Sequence, residues 1–263
     1  MKFELKKSIE SKRSWFPWLG VALIASLATA YWLYPGVAVD VQHRQMEVAG
    51  LVREYRYVLP HAIAGKTGLP LVVALHGALD TTDEMAEYTQ LDRLAAEKRF
   101  LLVYLQGRHL NWPPNIPEEN PDVAAPDLLF FDALCNQLVE SDGVDRNRIY
   151  VVGVSQGGAM CNLLVARRSE RIAAAVCNCG WMPKPLDEQP LTTLHKCPML
   201  FLVGSRDTQV PPAVVQAACD VFDRAQHPVV FQILEGAPHG WNFEFGVNQI
   251  VGEFLSDQQL PTQ

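Results

Sequence analysis

Short apolar runs alternate with longer amphipathic segments along most of the chain. The runs are nearly continuous in Val, Ile and Leu, which is typical of strands in a parallel sheet buried on both faces. They predict strands at 53–59, 71–75, 101–104, 149–154, 172–177, 199–203 and 229–234. Helical periodicity fills the intervals at about 84–98, 127–141, 156–169, 212–226 and 246–257.

Strands that alternate with helices of this length indicate right-handed βαβ crossovers and a doubly wound, mainly parallel sheet with helices on both faces. The predicted fold class is therefore α/β. Ligands of such sheets bind at the carboxyl ends of the strands, so we look for the chemistry immediately after each strand.

The apolar run at 15–34 has a different character, because it contains no charged residue and follows a basic tail at 1–14. The small residues Ala28-Thr29-Ala30 fit the cleavage site of a signal peptide. Its length of about 20 residues, with Trp and Tyr at both ends, fits a retained membrane anchor, and on this length we favour the anchor. Both alternatives export the rest of the chain, which we divide into a connector at 35–50 and a catalytic domain at 51–260.

Charge and cysteine content exclude some classes of protein. The chain of 263 residues has a net charge of −7, and residues 1–34 hold five of its 22 basic and two of its 29 acidic groups. The remainder is therefore strongly acidic, which excludes nucleic acid as a partner. The six cysteines allow no pairing to be assigned, and Cys177-Asn178-Cys179 lacks the spacing of a zinc site. We expect neither a metal nor a cofactor.

Residues 153–157 read Gly-Val-Ser-Gln-Gly and stand between an apolar run and a helical segment. Gly-x-Ser-x-Gly in this context is typical of a nucleophile elbow, a sharp turn that exposes the serine. Side chains at 153 and 157 would collide with neighbouring backbone, and the helix that begins beneath Ser155 favours negative charge above it. We predict Ser155 as a catalytic nucleophile.

A serine nucleophile needs a base, and the base needs a carboxylate to orient it. In a fold of this kind both partners follow later strands, with the acid before the histidine. Asp207 follows the run at 199–203, and His239 follows the run at 229–234. We predict these two residues as the catalytic partners of Ser155.

Two backbone N–H groups are expected to stabilise an oxyanion, one after the nucleophile and one after an early strand. The first belongs to Gln156. The second is assigned to Ala78, with Gly77 allowing a close approach of the backbone.

Three further residues at strand ends are candidates for contact with a substrate, namely Trp181, Trp241 and His76. An indole at such a position can stack on an apolar or aromatic group. Ordinary loop packing explains both tryptophans as well, and a structural hydrogen bond within the loop explains His76.

These motifs together resemble the polyhydroxybutyrate depolymerase-like esterases, a group that includes feruloyl and acetyl-xylan esterases. The resemblance runs from about residue 48 to 255, and it is carried by 52–57, 70–78, 103–107, 144–150 and the elbow. It implies an α/β-hydrolase fold and a triad at Ser155, Asp207 and His239. Residues 155–160 are also similar to the phospholipase/carboxylesterase group.

The expected function is hydrolysis of small or polymeric carboxylic esters through an acyl-enzyme. Two alternatives remain: a thioesterase or lysophospholipase that acts near the membrane to which the segment at 15–34 would attach the chain, and a catalytically silent hydrolase fold that only binds. Fluorophosphonate labelling of Ser155 separates the last alternative from the other two.

Overall fold

The computed structural model describes residues 37–113, 115–117, 120–188 and 190–261. The predicted basic tail at 1–14 and the apolar segment at 15–34 lie outside the described residues. Within the described ranges, no helix combines the length and the hydropathy that crossing a bilayer requires.

The strands of the described chain belong to one sheet. They are β1 (Val39–Val48), β2 (Leu51–Pro60), β3 (Leu69–Leu75), β4 (Leu101–Leu105), β5 (Val144–Val154), β6 (Ala174–Asn178), β7 (Met199–Gly204) and β8 (Val229–Leu234). Their order across the sheet is β1-β2-β4-β3-β5-β6-β7-β8. β1 pairs with β2, and β2 with β4, in antiparallel register, whereas all the other neighbours are parallel.

Helices occupy most of the crossovers between the parallel strands. They are α1 (Thr82–Thr89), α2 (Leu91–Lys98), α3 (Ala125–Ser141), α4 (Gln156–Arg168), α5 (Pro212–Arg224) and α6 (Val247–Ser256), with short 3-10 turns at His61–Ile63, Ser169–Arg171 and Phe243–Phe245. α1 begins at a capping box, in which Thr81 Oγ1 accepts from the N–H of Glu84, and the Glu84 carboxylate accepts from the N–H of Thr81.

Every side chain of β4, β6 and β7 is buried. Successive side chains of a strand point to opposite faces, so both faces of the central sheet are covered. The continuous Val, Ile and Leu runs have this cause, and the predicted α/β class with its mainly parallel sheet is confirmed.

The segment at 35–50 is not a simple connector, because it contains β1. All ten residues of β1 pair with β2, so the sheet begins before the boundary predicted at residue 51. β1 lies at the edge of the sheet, and most of its side chains are exposed. An edge strand of that kind needs no continuous apolar run, and this is why the hydrophobic pattern did not reveal it.

The helix predicted at 84–98 is two helices, α1 and α2, separated by Gln90. Gln90 adopts a left-handed conformation with φ of 54°, which ends one helix and starts the next. Only glycine and, less often, asparagine signal such a conformation in a sequence, so the glutamine concealed the break.

Candidate active site

Ser155 lies in the turn between β5 and α4 with φ of 55° and ψ of −117°, a combination that non-glycine residues rarely adopt. Two glycines make the turn possible. A Cβ at Gly153 would collide with the carbonyl of Gly157, and a Cβ at Gly157 would collide with the carbonyl of Leu75. The Ser155 N–H donates to the carbonyl of Asn178 at 2.9 Å, which anchors the strained residue to the end of β6.

The structure brings Ser155, His239 and Asp207 into one hydrogen-bonded line at the carboxyl edge of the sheet. His239 Nε2 lies 3.0 Å from Ser155 Oγ, and His239 Nδ1 lies 2.6 Å from Asp207 Oδ2. A carboxylate can only accept, so Nδ1 carries the proton, and Nε2 is left with a lone pair facing the serine hydroxyl. This is the tautomer that a general base requires.

Backbone amides hold the Asp207 carboxylate in place. Asp207 Oδ1 accepts from the N–H groups of Gln209 and Val210 at 2.9 and 2.8 Å, and its side chain is fully shielded from solvent. The His239 ring is 15% exposed and reaches the surface beside the serine. The acid is therefore fixed, while the base is accessible.

The two predicted oxyanion donors belong to the residue after Ser155 and to the loop after β3. Gln156 is the first residue of α4, where an N–H has no partner within the helix. The N–H of Ala78 has no backbone partner among the described residues, and Ala78 lines the same cavity as Ser155. Gly77 does not relieve a collision, because a Cβ there would meet nothing nearer than 3.9 Å. The prediction that Gly77 is needed for a close approach of the backbone was therefore wrong.

His76 is not a substrate-binding residue in this structure, because it is completely buried. Its Nδ1 lies 2.6 Å from the carbonyl of Gly77, and its Nε2 accepts from the N–H of Gly107 at 2.9 Å. Burial lowers the pKa of the imidazole, in agreement with a neutral ring that donates at one nitrogen and accepts at the other. His76 positions the loop that carries Ala78.

Trp112 ties the two oxyanion segments together, a role that the sequence did not reveal. Its indole N–H donates to the carbonyl of His76 at 3.0 Å, and its backbone N–H donates to Gln156 Oε1 at 2.9 Å. The indole is 1% exposed. This single buried residue therefore fixes both the loop after β3 and the start of α4.

A cavity of about 530 Å³ opens in front of Ser155 and His239. Trp241 lines it, although its ring is nearly buried and its indole N–H donates to Asn248 Oδ1 at 2.6 Å. Trp181 is not among the described residues of the lining, and it packs against the core instead. Strand-end position alone could not separate the two tryptophans, since it does not fix the direction of a side chain.

Asp80 and Tyr88 also line the cavity and were missed by the sequence analysis. The Tyr88 hydroxyl donates to Asp80 Oδ2 at 2.8 Å, and the Thr81 N–H donates to Asp80 Oδ1 at 3.1 Å. Burial raises the pKa of the Asp80 carboxyl, while these two donors favour its charged form. Asp80 lies three residues after Gly77 in the loop that follows β3, where the sequence analysis looked for chemistry, so its position could have identified it. Nothing in the sequence pattern pointed to Tyr88.

Comparison with known proteins agrees with this architecture. Residues 121–247, which include Ser155, Asp207 and His239, match the dienelactone hydrolase family. A protein of Nocardia uniformis subsp. tsuyamanensis named "Putative esterase NocK" is 32% identical over 64% of this chain and 49% of its own length. Feruloyl esterase B of Neurospora crassa is 31% identical over 49% of this chain and 44% of its own length.

A crystal structure of a thermostable esterase superposes with a TM-score of 0.66 at 22% identity, over 84% of this chain and 63% of that one. At this identity the superposition supports the fold alone. The chain spans about half the length of each of the two sequence relatives named above. The predicted resemblance to feruloyl esterase-like α/β-hydrolases is confirmed.

Proposed function

We propose that this chain, an α/β-hydrolase with a domain of the dienelactone hydrolase family, cleaves carboxylic esters through an acyl-enzyme on Ser155. The observation that carries the proposal is the line of hydrogen bonds from Ser155 through His239 to Asp207 at the mouth of a cavity. The esterase names of its relatives favour the same reaction.

In the acylation step, His239 Nε2 takes the proton of Ser155 Oγ as that oxygen bonds to the ester carbonyl carbon. The carbonyl oxygen gains negative charge, and the N–H groups of Gln156 and Ala78 donate to it. Asp207 stabilises the imidazolium that forms. When the tetrahedral intermediate collapses, His239 gives the proton to the departing alkoxide, and the alcohol leaves.

Deacylation repeats these steps with water as the nucleophile. His239 takes a proton from a water molecule whose oxygen attacks the acyl carbon, and then returns a proton to Ser155 Oγ as the acid departs. One water is consumed, and one acid and one alcohol are formed. The residues named here complete this cycle.

The cavity favours neutral substrates with a flat or short acyl group. Tyr88 and Phe243, which are both exposed, supply aromatic lining that suits an aryl group such as the feruloyl moiety. Asp80 and Glu244 also line the cavity, and no Lys or Arg side chain does so among the described residues. A substrate that carries its own carboxylate would therefore meet like charge with no cation to compensate it.

A panel of acetyl, butyryl, feruloyl, hydroxybutyrate-oligomer and palmitoyl esters tests the function. We expect kcat/KM for the feruloyl and short acyl esters to exceed that for the palmitoyl ester by at least about tenfold. A preference for palmitoyl would favour a thioesterase or lysophospholipase, and hydrolysis of no member by folded protein would favour a silent scaffold.

The panel includes methyl ferulate and carboxymethyl ferulate, which differ by one carboxylate. We expect methyl ferulate to be preferred over carboxymethyl ferulate by about tenfold, since a like charge a few ångströms away at the surface costs on the order of 1–2 kcal/mol. Asp80→Asn keeps the shape of the side chain and removes its charge. We therefore expect this variant to show a smaller preference for methyl ferulate over carboxymethyl ferulate than the wild type does. The exposed Asp257, which lies outside the cavity, provides the control variant Asp257→Asn. Equal preference in the wild type and both variants would refute the role of Asp80.

The proposed location of the enzyme is outside the cytoplasm. The support for it is the sequence of residues 1–34, a basic tail followed by an uncharged apolar run. Both alternatives for that run, a cleaved signal and a retained anchor, place the catalytic domain on the same side of the membrane.

A further inference from the structure

A buried cysteine that the mechanism does not use lies behind the catalytic histidine. Cys179 follows β6, has φ of 45° and is 1% exposed. Its Sγ, the Nδ1 or Nε2 of His239 and a carboxylate oxygen of Asp207 all lie within 4.8 Å of one another. Thiolate, imidazole and carboxylate form a donor set that Zn²⁺ prefers.

We propose that Cys179, Asp207 and His239 form an inhibitory site for a thiophilic divalent cation, with Zn²⁺ as the representative ion. The inhibitory part of this inference rests on the proposed function, whereas the binding part does not. Zinc bonds of about 2.0–2.3 Å in a tetrahedron hold the donor atoms roughly 3.3–3.7 Å apart. The observed separations approach that spacing closely enough for small side-chain rotations to reach it.

The ion would enter between His239 and Asp207. Their contact of 2.6 Å would have to open by less than 1 Å, on the order of the difference from the zinc donor spacing. Asp207 Oδ1 stays bonded to the amides of Gln209 and Val210, so Oδ2 is the oxygen that is free to bind the metal. His239 and Gly240 line the open cavity, and Cys179 Sγ lies 4.0 Å from the carbonyl of Gly240. The path to the site therefore passes beside His239.

Charge and protons balance in this step. The Cys179 thiol loses its proton to solvent as the Zn–S bond forms, and the two anions of Cys179 and Asp207 then neutralise the ion. Zinc takes the Nδ1 lone pair of a neutral imidazole, so the ring proton moves from Nδ1 to Nε2. His239 Nε2 can then only donate to Ser155, and it can no longer accept the serine proton. Binding therefore removes the general base without covering the oxyanion donors.

The chain offers an internal control for the role of Cys179. The other five cysteines are also free and buried, which provides a matched control within the chain. Cys219, on α5, is not among the donors of this cluster.

Zinc inhibition of ester hydrolysis is measured in the wild type and in the variants Cys179→Ser, Cys179→Ala and Cys219→Ala, each relative to its own metal-free rate. We expect the inhibition constant to rise by at least about tenfold in both Cys179 variants, since losing a ligand should cost no less than losing an outer-shell partner. Cys219→Ala should match the wild type, and Mg²⁺ should not inhibit. Equal zinc sensitivity in all four proteins would overturn the proposal.

Binding is also measured without catalysis, on the Ser155→Ala protein with and without Cys179→Ser. Titration with Co²⁺ should give a thiolate-to-cobalt charge-transfer band that is absent when Cys179 is replaced, and calorimetry with Zn²⁺ should show the loss of one site. If the wild-type protein hydrolyses no ester of the panel but the cobalt band appears in the Ser155→Ala protein, the proposed function fails and the metal site stands. If the wild-type protein hydrolyses esters but no band appears in the Ser155→Ala protein, the metal site is refuted and the proposed function stands.

Discussion

Replacing Ser155 with alanine is expected to lower kcat by about six orders of magnitude on the best ester of the panel. The hydroxyl oxygen is the atom that forms the acyl-enzyme in the proposed mechanism, and among the described residues it is the only hydroxyl or thiol that hydrogen-bonds to His239. Alanine also has a Cβ, so it bears the same backbone strain at φ of 55° as serine does. Steady-state kinetics on purified protein, with the melting temperature recorded in parallel, measures the effect.

The matched control for this substitution is Ser256→Ala. Ser256 ends α6, far along the chain from the site, and its hydroxyl donates to the carbonyl of Gly252. We expect its kcat to equal that of the wild type. A Ser155→Ala protein that kept more than about one hundredth of wild-type kcat would contradict a mechanism in which the three residues act as a unit.

Replacing Asp207 with asparagine is expected to lower kcat by about 10⁴, the size of the loss when the same substitution reverses the tautomer of the catalytic histidine in a serine protease with a Ser-His-Asp triad. Asp207 Oδ1 accepts two backbone N–H bonds, and in asparagine the oxygen must keep them. The amide nitrogen would then face His239 Nδ1 as a donor. His239 Nδ1 must then accept a hydrogen bond, so its lone pair lies on Nδ1 and its proton on Nε2. This is the wrong tautomer for accepting the serine proton.

The Asp207→Asn effect should fall on kcat, with little change in KM, because Asp207 is shielded from the cavity by His239. Single-turnover kinetics should show that the acylation step itself is slow. A loss smaller than tenfold, in a protein whose melting temperature is unchanged, would mean that another group orients His239. Asp257→Asn, at an exposed position, serves again as the control.

Local sequence signals predicted the parts of the fold that depend on local physics. The continuous apolar runs of β4 and β7 reflect burial on both faces, and the glycines at 153 and 157 reflect collisions that their neighbours impose. The relation between Ser155, Asp207 and His239 was also predictable, because parallel strands deliver their carboxyl ends to one edge of the sheet.

Features that depend on contacts between distant segments were not predictable from one sequence. The polar edge strand β1 is defined by its pairing with β2. A buried ion pair of 2.7 Å between Arg53 and Asp127 joins β2 to α3, and no periodicity signals it. Such a pair depends on which two segments become neighbours, and the apolar pattern does not determine that.

The same limit applied within the site. His76 and Trp181 both stand at strand ends, yet His76 turns into the protein, where it holds the loop of Gly107, and Trp181 packs on the core. The spacing of Cys177-Asn178-Cys179 gave no sign of a metal site, although the left-handed backbone of Cys179 places its sulfur beside His239. Rotamer direction and backbone handedness decide these cases, and neither follows from spacing along the chain.

The most direct test of the account is to find where a covalent probe attaches. Wild-type protein is treated with a fluorophosphonate and digested, and the modified peptide is identified by mass spectrometry. The account predicts one probe per chain, attached to Ser155, and much slower labelling of Asp207→Asn. A folded, ester-hydrolysing protein that carried the probe on a different residue, or on none, would contradict it.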